Sequence, residues 1–313
     1  MSTANKVIGI FLNFSSAILL AVSIISSMSF ADVVPLAAAD KIFSDFSKQT
    51  IPFSSQRFSG FQQGADEERK IVSKSGNLIA YVKLPANTRQ APMAILLHGC
   101  DGIEGNTVDG LKKWSDWFLS KGVGVVILDS FASRKVKATC GAPDGHWAKR
   151  RVDDVFSAIK YIKSKNLSPP GQILILGESN GGRTALNAAS QDEFNRPETF
   201  AAAFALYPYC GDDKTTEFAR PIEIFTAERD VKNKAELCMN LNRSGRKYAS
   251  PKVVFLPKAT HAYDIDKPLR VDRSNPMEFD SAAVQLTRTE IEAVLKSFST
   301  QTRGLRVQFT TSD

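Results

Sequence analysis

Histidine is scarce in this chain of 313 residues, which contains only His98, His146 and His261. Any reaction that needs an imidazole as a general base must use one of these three side chains. The scarcity therefore excludes most possible partners for a nucleophile, and it allows the remaining candidates to be compared by their positions along the chain.

Blocks of like charge are also missing. The chain has 40 basic and 33 acidic residues, scattered along its length. Lysine and arginine gather only in residues 134–151, where Trp147 is the one aromatic side chain among phenylalanine, tyrosine and tryptophan. Nucleic-acid-binding surfaces combine clustered basic residues with a recognisable motif. This segment indicates a solvated basic face, and no nucleic-acid partner is expected.

The sequence has few cysteines and no internal repeat or low-complexity linker. The four cysteines are Cys100, Cys140, Cys210 and Cys238. An even number permits disulfides in an oxidising compartment, and four cysteines allow three connectivities. With 43% hydrophobic and 23% charged residues, the composition is that of an ordinary globular protein. One domain is the simplest interpretation.

The first 31 residues resemble a secretory signal peptide. Lys6 precedes an apolar stretch at residues 7–25, and S-F-A at residues 29–31 offers a cleavage site before Asp32. The sequence thus predicts export to the periplasm or the medium. The alternative is an uncleaved membrane anchor, because the stretch is almost long enough to span a bilayer. The absence of cysteine directly after it argues against a lipoprotein anchor.

Apolar runs alternate with segments of helical periodicity over most of the chain. This alternation predicts an α/β fold with a mostly parallel sheet and helices on both faces. We expect an irregular leader at residues 32–68, one α/β domain at 69–300 and a C-terminal tail at 301–313. The runs suited to buried parallel strands are residues 93–97, 123–128, 173–176, 202–206, 222–225 and 253–256.

The sequence G-E-S-N-G at residues 177–181 follows one of these runs and precedes a helical pattern. A serine on a sharp turn from strand to helix has its hydroxyl exposed at the edge of the sheet. Glycines flank such a turn because side chains there would collide with neighbouring elements. The context predicts that Ser179 is a nucleophile on an elbow of this kind.

A second loop at the same predicted edge has the sequence H-G-C-D-G at residues 98–102. In proteins with a nucleophile elbow, a loop in this position supplies one backbone N–H to an oxyanion, and the residue after the nucleophile supplies the other. We expect these donors to be Cys100 and Asn180. The alternative is a glycine-rich turn in which His98 forms a structural hydrogen bond.

The position of His261 favours it as the base. It follows the last predicted strand, so a nucleophile, an acid and a histidine occur in the order typical of α/β-hydrolases. The acid should follow the strand at residues 222–225, where Glu228 and Asp230 both occur. Asp230 is the better candidate because it lies further into the loop. Glu228 is then a surface group or a substrate contact.

Together these motifs resemble the dienelactone hydrolase family over residues 68–300. The more family-specific segments are D-S-F at residues 129–131, Y-P at 207–208 and T-H-A-Y-D at 260–264. The resemblance implies hydrolysis of a small-molecule carboxylic ester or lactone without a metal or organic cofactor. The chain departs from the founding enzymes, which use a cysteine nucleophile, because Ser179 occupies that position. It therefore resembles exported, serine-dependent relatives.

The predicted topology also assigns expectations to other residues. All four cysteines follow strands or lie in loops on the active-site side, which favours the pairs Cys100–Cys140 and Cys210–Cys238. Arginine can bind a carboxylate in a bidentate manner. The side chains considered as substrate contacts are Arg134, Arg183 and Tyr207, with surface placement or core packing as the alternatives.

Two other functions fit the same motifs. One is a peptidase or amidase on the same fold, and the other is an exported binding protein that has no catalytic activity. We expect no stable membrane association once the signal peptide is removed. The leading interpretation is an exported serine hydrolase that acts on esters or lactones.

Overall fold

The structure is a computed structural model that describes residues 36–54, 75–141, 146–190, 193, 195–211, 217–241, 250–272 and 274–309. The predicted signal peptide lies outside these residues. The described residues belong to one compact unit that spans 36–313. Within them, no helix is both long enough and apolar enough to cross a membrane.

A sheet of eight strands forms the centre of the fold, with strand order β1-β2-β4-β3-β5-β6-β7-β8. The strands are β1 (Ser47–Ser54), β2 (Ser75–Lys83), β3 (Met93–Leu97), β4 (Gly124–Asp129), β5 (Ile173–Glu178), β6 (Ala202–Leu206), β7 (Ile222–Ala227) and β8 (Lys252–Leu256). The last six pair in parallel. β2 runs antiparallel to both β1 and β4.

Helices cover both faces of this sheet. They are α1 (Leu36–Ile42), α2 (Gly105–Ser120), α3 (His146–Arg150), α4 (Val152–Ser164), α5 (Asn180–Ala189), α6 (Ala235–Leu241) and α7 (Ser281–Phe309). One apolar cluster includes buried residues of α1, α2 and α7, and another includes those of α4, α5 and α6. The prediction of an α/β-hydrolase fold with a mostly parallel sheet and helices on both faces is confirmed.

Alternating side chains of the strands explain the two clusters. Leu174 and Leu176 of β5 belong to the α2 and α7 side, whereas Ile173 and Ile175 belong to the α4 and α5 side. Successive residues of a strand point to opposite faces, so a strand that is covered on both faces is apolar throughout. This pattern explains the continuous apolar runs in the sequence.

The expectation of an irregular leader at residues 32–68 is corrected for residues 36–54, which form α1 and β1. β1 pairs with β2 along its whole length, from Ser47 opposite Val82 to Ser54 opposite Ser75. Pro52 and several polar residues hide this strand in the sequence. Proline is tolerated there because β1 is an edge strand, with a neighbour on one side only.

The C-terminal boundary also differs from the expectation. The helical pattern at residues 282–298 continues as α7 to Phe309, so part of the predicted tail at 301–313 is helical. A small hairpin of β9 (Arg270–Asp272) and β10 (Asn275–Met277) lies between β8 and α7. Neither strand had been predicted, because each contains only three residues.

We predict that Ile51→Ala destabilises the protein by about 2 to 5 kcal/mol, because Ile51 of β1 is buried and its removal leaves a cavity. Thr50→Ala on the same strand is the control, since Thr50 is exposed, and it should cost less than about 1 kcal/mol. Urea unfolding of both variants measures the difference. Equal, small effects would contradict the assignment of β1 to the core.

Candidate active site

Ser179 lies on a sharp turn between the end of β5 and the start of α5. Its backbone has φ 52° and ψ −112°, a conformation rare for residues other than glycine. The N–H of Ser179 donates to the carbonyl O of Leu206 at 3.0 Å, and its carbonyl O accepts from the N–H of Arg183 at 2.9 Å. The neighbouring strand and the first turn of α5 therefore hold the strained residue in place.

The glycines on either side permit this turn by close backbone contact. A Cβ on Gly177 would lie 2.1 Å from the carbonyl O of Gly181, and a Cβ on Gly181 would lie 2.2 Å from that of Leu97. Both distances are shorter than real side chains adopt. The G-x-S-x-G sequence is thus a packing requirement at the point where α5 meets β3 and β5.

His261 lies in the loop after β8, and its ring joins Ser179 to Asp230. The distance from His261 Nε2 to Ser179 Oγ is 3.1 Å, and the distance from His261 Nδ1 to Asp230 Oδ2 is 2.6 Å. A proton on Nδ1 donated to the carboxylate leaves Nε2 free to accept the serine proton. The structure therefore brings together the three residues that the sequence order selected.

Asp230, which follows β7, is buried and accepts hydrogen bonds on both carboxylate oxygens. Its Oδ1 accepts from Nδ2 of Asn275 at 2.9 Å and from the N–H of Asn233 at 2.9 Å. Burial acts to raise the pKa of Asp230. The hydrogen bonds from His261, Asn233 and Asn275 outweigh that effect and lower the pKa below its ordinary value. The carboxylate is therefore held in its charged form.

Glu228 has a different position. It is exposed, and its Oε2 accepts from the N–H of Lys258 at 2.7 Å. The structure thus separates the two acidic candidates that the sequence left open. Asn275 was missed by sequence reasoning, because an asparagine on a hairpin 45 residues downstream carries no local signal of its contact with Asp230.

The two expected oxyanion donors belong to segments that adjoin Ser179, the loop after β3 and the start of α5. A Cβ on Gly99 would lie 3.7 Å from Ser179 Cβ, so the loop after β3 approaches the nucleophile closely. Asn180 is the first residue of α5, where backbone N–H groups have no partner within the helix and favour an anion. The side-chain Oδ1 of Asn180 accepts from Arg151 Nη1 at 2.9 Å.

Among the described residues, His98 does not contact Ser179. His98 is fully buried, with Nδ1 2.7 Å from the carbonyl O of Gly99 and Nε2 3.3 Å from the N–H of Ser130. Burial lowers the pKa of His98 well below its usual value, and the charge of Arg151 adds to the shift. His98 therefore acts as a neutral structural group. His146 begins α3, and its side chain lies outside the described part.

The structure corrects the expectation that Arg134 binds a substrate. Its side chain is 1% exposed and forms a bidentate pair with Asp154, with N–O distances of 2.7 and 2.8 Å. Its guanidinium also lies 4.0 Å from the ring centre of Phe53 on β1. These contacts place Arg134 in the interior, between the loop after β4 and helix α4.

Arg183 and Tyr207 also have internal partners. Arg183 Nη1 donates to the carbonyl O of Tyr209 at 3.2 Å, which braces the loop after β6. Tyr207 is buried, its hydroxyl donates to Asp264 at 2.7 Å, and its ring packs edge-on against His261 with centres 4.7 Å apart. Tyr207 thus supports His261 instead of presenting its hydroxyl to a substrate.

Disulfides join Cys100 to Cys140 and Cys210 to Cys238. The first ties the loop after β3 to the segment after β4, where the N–H of Thr139 also donates to the carbonyl O of Cys100 at 2.8 Å. The second is buried and joins the loop after β6 to α6. Both bonds brace loops that adjoin the proposed catalytic residues.

The sheet order, the strained serine and its histidine and acid neighbours define an α/β-hydrolase. A model of the dienelactone hydrolase family matches residues 78–299. The chain belongs to the dienelactone hydrolase family, and it is a carboxylic ester hydrolase. No curated protein matched the sequence.

Solved structures with a similar fold include a putative dienelactone hydrolase from Klebsiella pneumoniae, with a TM-score of 0.53 and 14% identity, covering 79% of this chain and 97% of that one. An esterase 2 from Thermogutta terrifontis has a TM-score of 0.50 and 15% identity, covering 76% of this chain and 93% of its own. At these identities the similarity shows the fold.

We predict that the stability difference between the wild type and Asp230→Asn depends on pH. The pKa of Asp230 is below the ordinary value of 3.8, so its charge stabilises the folded state at higher pH. This contribution is lost as the pH falls through the lowered pKa of the folded state. Urea unfolding from about pH 6 downward should show a gap that closes on acidification. Ser179→Ala, which keeps the carboxylate, should follow the wild type, and a gap independent of pH would contradict the prediction.

We predict that Asp154→Ala costs about 3 to 5 kcal/mol, because it leaves the charge of Arg134 buried without its partner. Asp153→Ala on the same helix is the control and should cost less, because Arg196 also pairs with Glu193. Chemical denaturation measures both.

The double variant Arg134→Met with Asp154→Leu should recover stability and keep the wild-type KM. A raised KM in that variant would instead indicate a substrate contact.

Proposed function

We propose that this protein is an exported serine hydrolase that cleaves a carboxylic ester or lactone through an acyl-enzyme intermediate. The observation that carries the proposal is the hydrogen-bonded arrangement of Ser179, His261 and Asp230, with distances of 3.1 and 2.6 Å. These groups match the roles of nucleophile, general base and orienting acid, and the family membership supports the ester bond as the target.

In the first half of the proposed reaction, Ser179 Oγ attacks the ester carbonyl carbon while His261 Nε2 takes the hydroxyl proton. The carbonyl oxygen becomes an oxyanion that accepts hydrogen bonds from the backbone N–H groups of Cys100 and Asn180. The C–O bond to the alcohol then breaks, and His261 returns its proton to the departing oxygen. The acyl group remains on Ser179.

In the second half, a water molecule takes the place of the alcohol. His261 removes a proton from the water, whose oxygen attacks the acyl carbon. The bond to Ser179 Oγ then breaks, the serine recovers its proton from His261, and the carboxylic acid leaves. Asp230 remains ionised throughout and balances the positive charge that His261 carries in each half.

Export is supported by two independent features. The N-terminal 31 residues have the pattern of a signal peptide. The two disulfides are typical of proteins that fold in an oxidising compartment. We therefore propose that the mature enzyme acts in the periplasm or outside the cell on a small-molecule substrate.

We predict that Ser179→Ala lowers kcat at least about 1,000-fold, because it removes the nucleophile and leaves only the binding groups. The wild type should release a burst of p-nitrophenol from short-chain p-nitrophenyl esters under stopped-flow conditions, with an amplitude near one per active site if deacylation is slow. Ser190→Ala, a serine beyond the end of α5, is a matched control that should keep full activity.

Two further measurements separate the alternatives. A fluorophosphonate probe should label the wild type on Ser179 and should not label Ser179→Ala. If the chain were a non-catalytic binding protein, the probe would label neither of them. A panel of esters and lactones with matched amides should show turnover of the oxygen esters. Preferential cleavage of the amides would overturn the ester assignment while leaving the nucleophile in place.

A further inference from the structure

A second carboxylate, Asp264, lies buried close to the proposed catalytic histidine. Asp264 follows His261 by three residues in the loop after β8 and is 4% exposed. The reaction described above does not use it. Because a buried carboxylate without compensating contacts is costly, its partners indicate what it does.

Two strong donors hold Asp264. Trp114 Nε1 of α2 donates to Oδ2 at 2.7 Å, and the hydroxyl of Tyr207 donates to Oδ1 at 2.7 Å. Both donors are themselves buried. No cation in the described part of the chain forms a direct ion pair with Asp264, so hydrogen bonds compensate its charge and no neighbouring cation neutralises it.

Glu178 is another buried carboxyl group near Asp264. It immediately precedes Ser179, and its carboxyl group lies against α2, where a Cβ on Gly110 would be 3.0 Å from Oε1. Oε1 of Glu178 is buried and has no hydrogen-bond partner among the described residues. Burial raises the pKa of Glu178 well above its usual range, and the charge of Asp264 adds to the shift.

The difference in contacts assigns the charge of this pair. Burial also raises the pKa of Asp264 above its ordinary value, and the hydrogen bonds from Trp114 and Tyr207 and the attraction to His261 offset only part of that effect. An ionised carboxylate is stabilised by donors, whereas a protonated one does not need them. These contacts favour the ionised form of Asp264 over that of Glu178, whose Oε1 has no donor among the described residues.

The contact with the histidine runs through Tyr207. The ring of Tyr207 packs edge-on against His261 at 4.7 Å, and its hydroxyl is fixed by Asp264. Asp264 also lines a cavity of about 380 Å³. The charged and titratable groups that surround Asp264 or this cavity are Glu178, Tyr207, His261, Tyr263, Lys113, Asp116 and Arg288.

The cationic side chains that line the cavity have partners other than Asp264. Lys113 pairs with Asp266 at 3.0 Å, and Lys112 neutralises Asp116 at 2.6 Å. The guanidinium of Arg288 lies over the rings of the two tryptophans of α2. The charge of Asp264 is therefore available to the imidazolium that His261 forms during the reaction.

We propose that Asp264 is a second anionic positioning residue for His261: it fixes Tyr207 beneath the imidazole ring and stabilises the protonated ring by its charge. The inference rests on the proposed function, because it concerns the histidine of that site. Asp230 orients His261 from one side by a direct hydrogen bond, and Asp264 acts from another without touching it. The negative charge on Asp264 then favours each step in which His261 holds a proton.

The variant Asp264→Asn tests this inference with little change of shape. The amide oxygen of asparagine can accept from Trp114, and its amide N–H can donate to the Tyr207 hydroxyl, which accepts as readily as it donates. The substitution therefore removes the charge and keeps both contacts. Glu178→Gln is the matched control, because it replaces a neutral acid with a neutral amide at a buried site nearby.

We expect Asp264→Asn to lower kcat/KM about tenfold at neutral pH and to move the acid limb of the kcat/KM profile about one unit to lower pH, since one pH unit corresponds to a factor of ten. KM should stay unchanged, because Asp264 does not contact the substrate in the proposed reaction. Glu178→Gln should give a profile that superimposes on that of the wild type. The measurement is ester hydrolysis over about pH 4 to pH 9.

The variant Tyr207→Phe tests the support that Asp264 gives to Tyr207. It removes the hydroxyl that Asp264 fixes and keeps the ring and the donor Trp114, so kcat should fall and the acid limb should move less than in Asp264→Asn. It also keeps the inference testable if Asp264→Asn folds poorly, because an unchanged kcat would contradict the positioning of Tyr207 by Asp264. Thermal unfolding of each variant reports the folded fraction.

Three outcomes overturn the inference. One is an acid limb in Asp264→Asn that coincides with the wild type, which would reduce Asp264 to a structural role. Another is an acid limb that moves in Glu178→Gln and does not move in Asp264→Asn, which would place the charge on Glu178. The third is an unchanged kcat in Tyr207→Phe, which would show that the support of Tyr207 by Asp264 has no effect on the reaction. If Ser179→Ala instead retains activity, the proposed function itself fails, and this result is independent of the profiles.

Discussion

The close backbone contact between the turn at Ser179 and the end of β3 is the constraint on which the site depends. Gly181 meets the carbonyl O of Leu97 at a distance that no side chain would allow, and Gly177 meets Gly181 in the same way. This contact forces Ser179 into its strained conformation at the carboxyl edge of the sheet. Parallel strands end at this common edge, so the loops after β3, β7 and β8 converge on the serine hydroxyl.

The buried ionisable side chains near this edge have different partners, and these partners determine the role of each side chain. Arg134 neutralises Asp154 by a bidentate pair, which fixes the loop after β4. Asp230 and Asp264 both accept hydrogen bonds from buried donors near His261. Glu178 lacks such a donor on Oε1, and burial raises its pKa well above its usual range. The distribution of donors thus favours negative charge at Asp230 and Asp264 over Glu178.

Local signals explain which features could be predicted. The apolar runs of β3 to β8 and the glycine spacing around Ser179 follow from contacts made over a few residues, so both are visible in the sequence. The choice of His261 used chain order and the scarcity of histidine. Strand β1 was missed because Pro52 and polar residues obscure its alternation, and its structure depends on pairing with β2. Asn275 was missed because its contact with Asp230 depends on where the hairpin packs.

By itself, the sequence determined the α/β architecture, the nucleophile turn and the chain order of Ser179, an acid and His261, because backbone periodicity and glycine geometry act over short distances. Only the tertiary structure decided which arginines are internal, which acid meets the histidine, and which buried carboxyl groups have hydrogen-bond donors. Those properties depend on burial and on donors from distant segments, as when Trp114 and Tyr207 meet at Asp264. A charged side chain has no fixed role until the fold supplies its partners and removes its water.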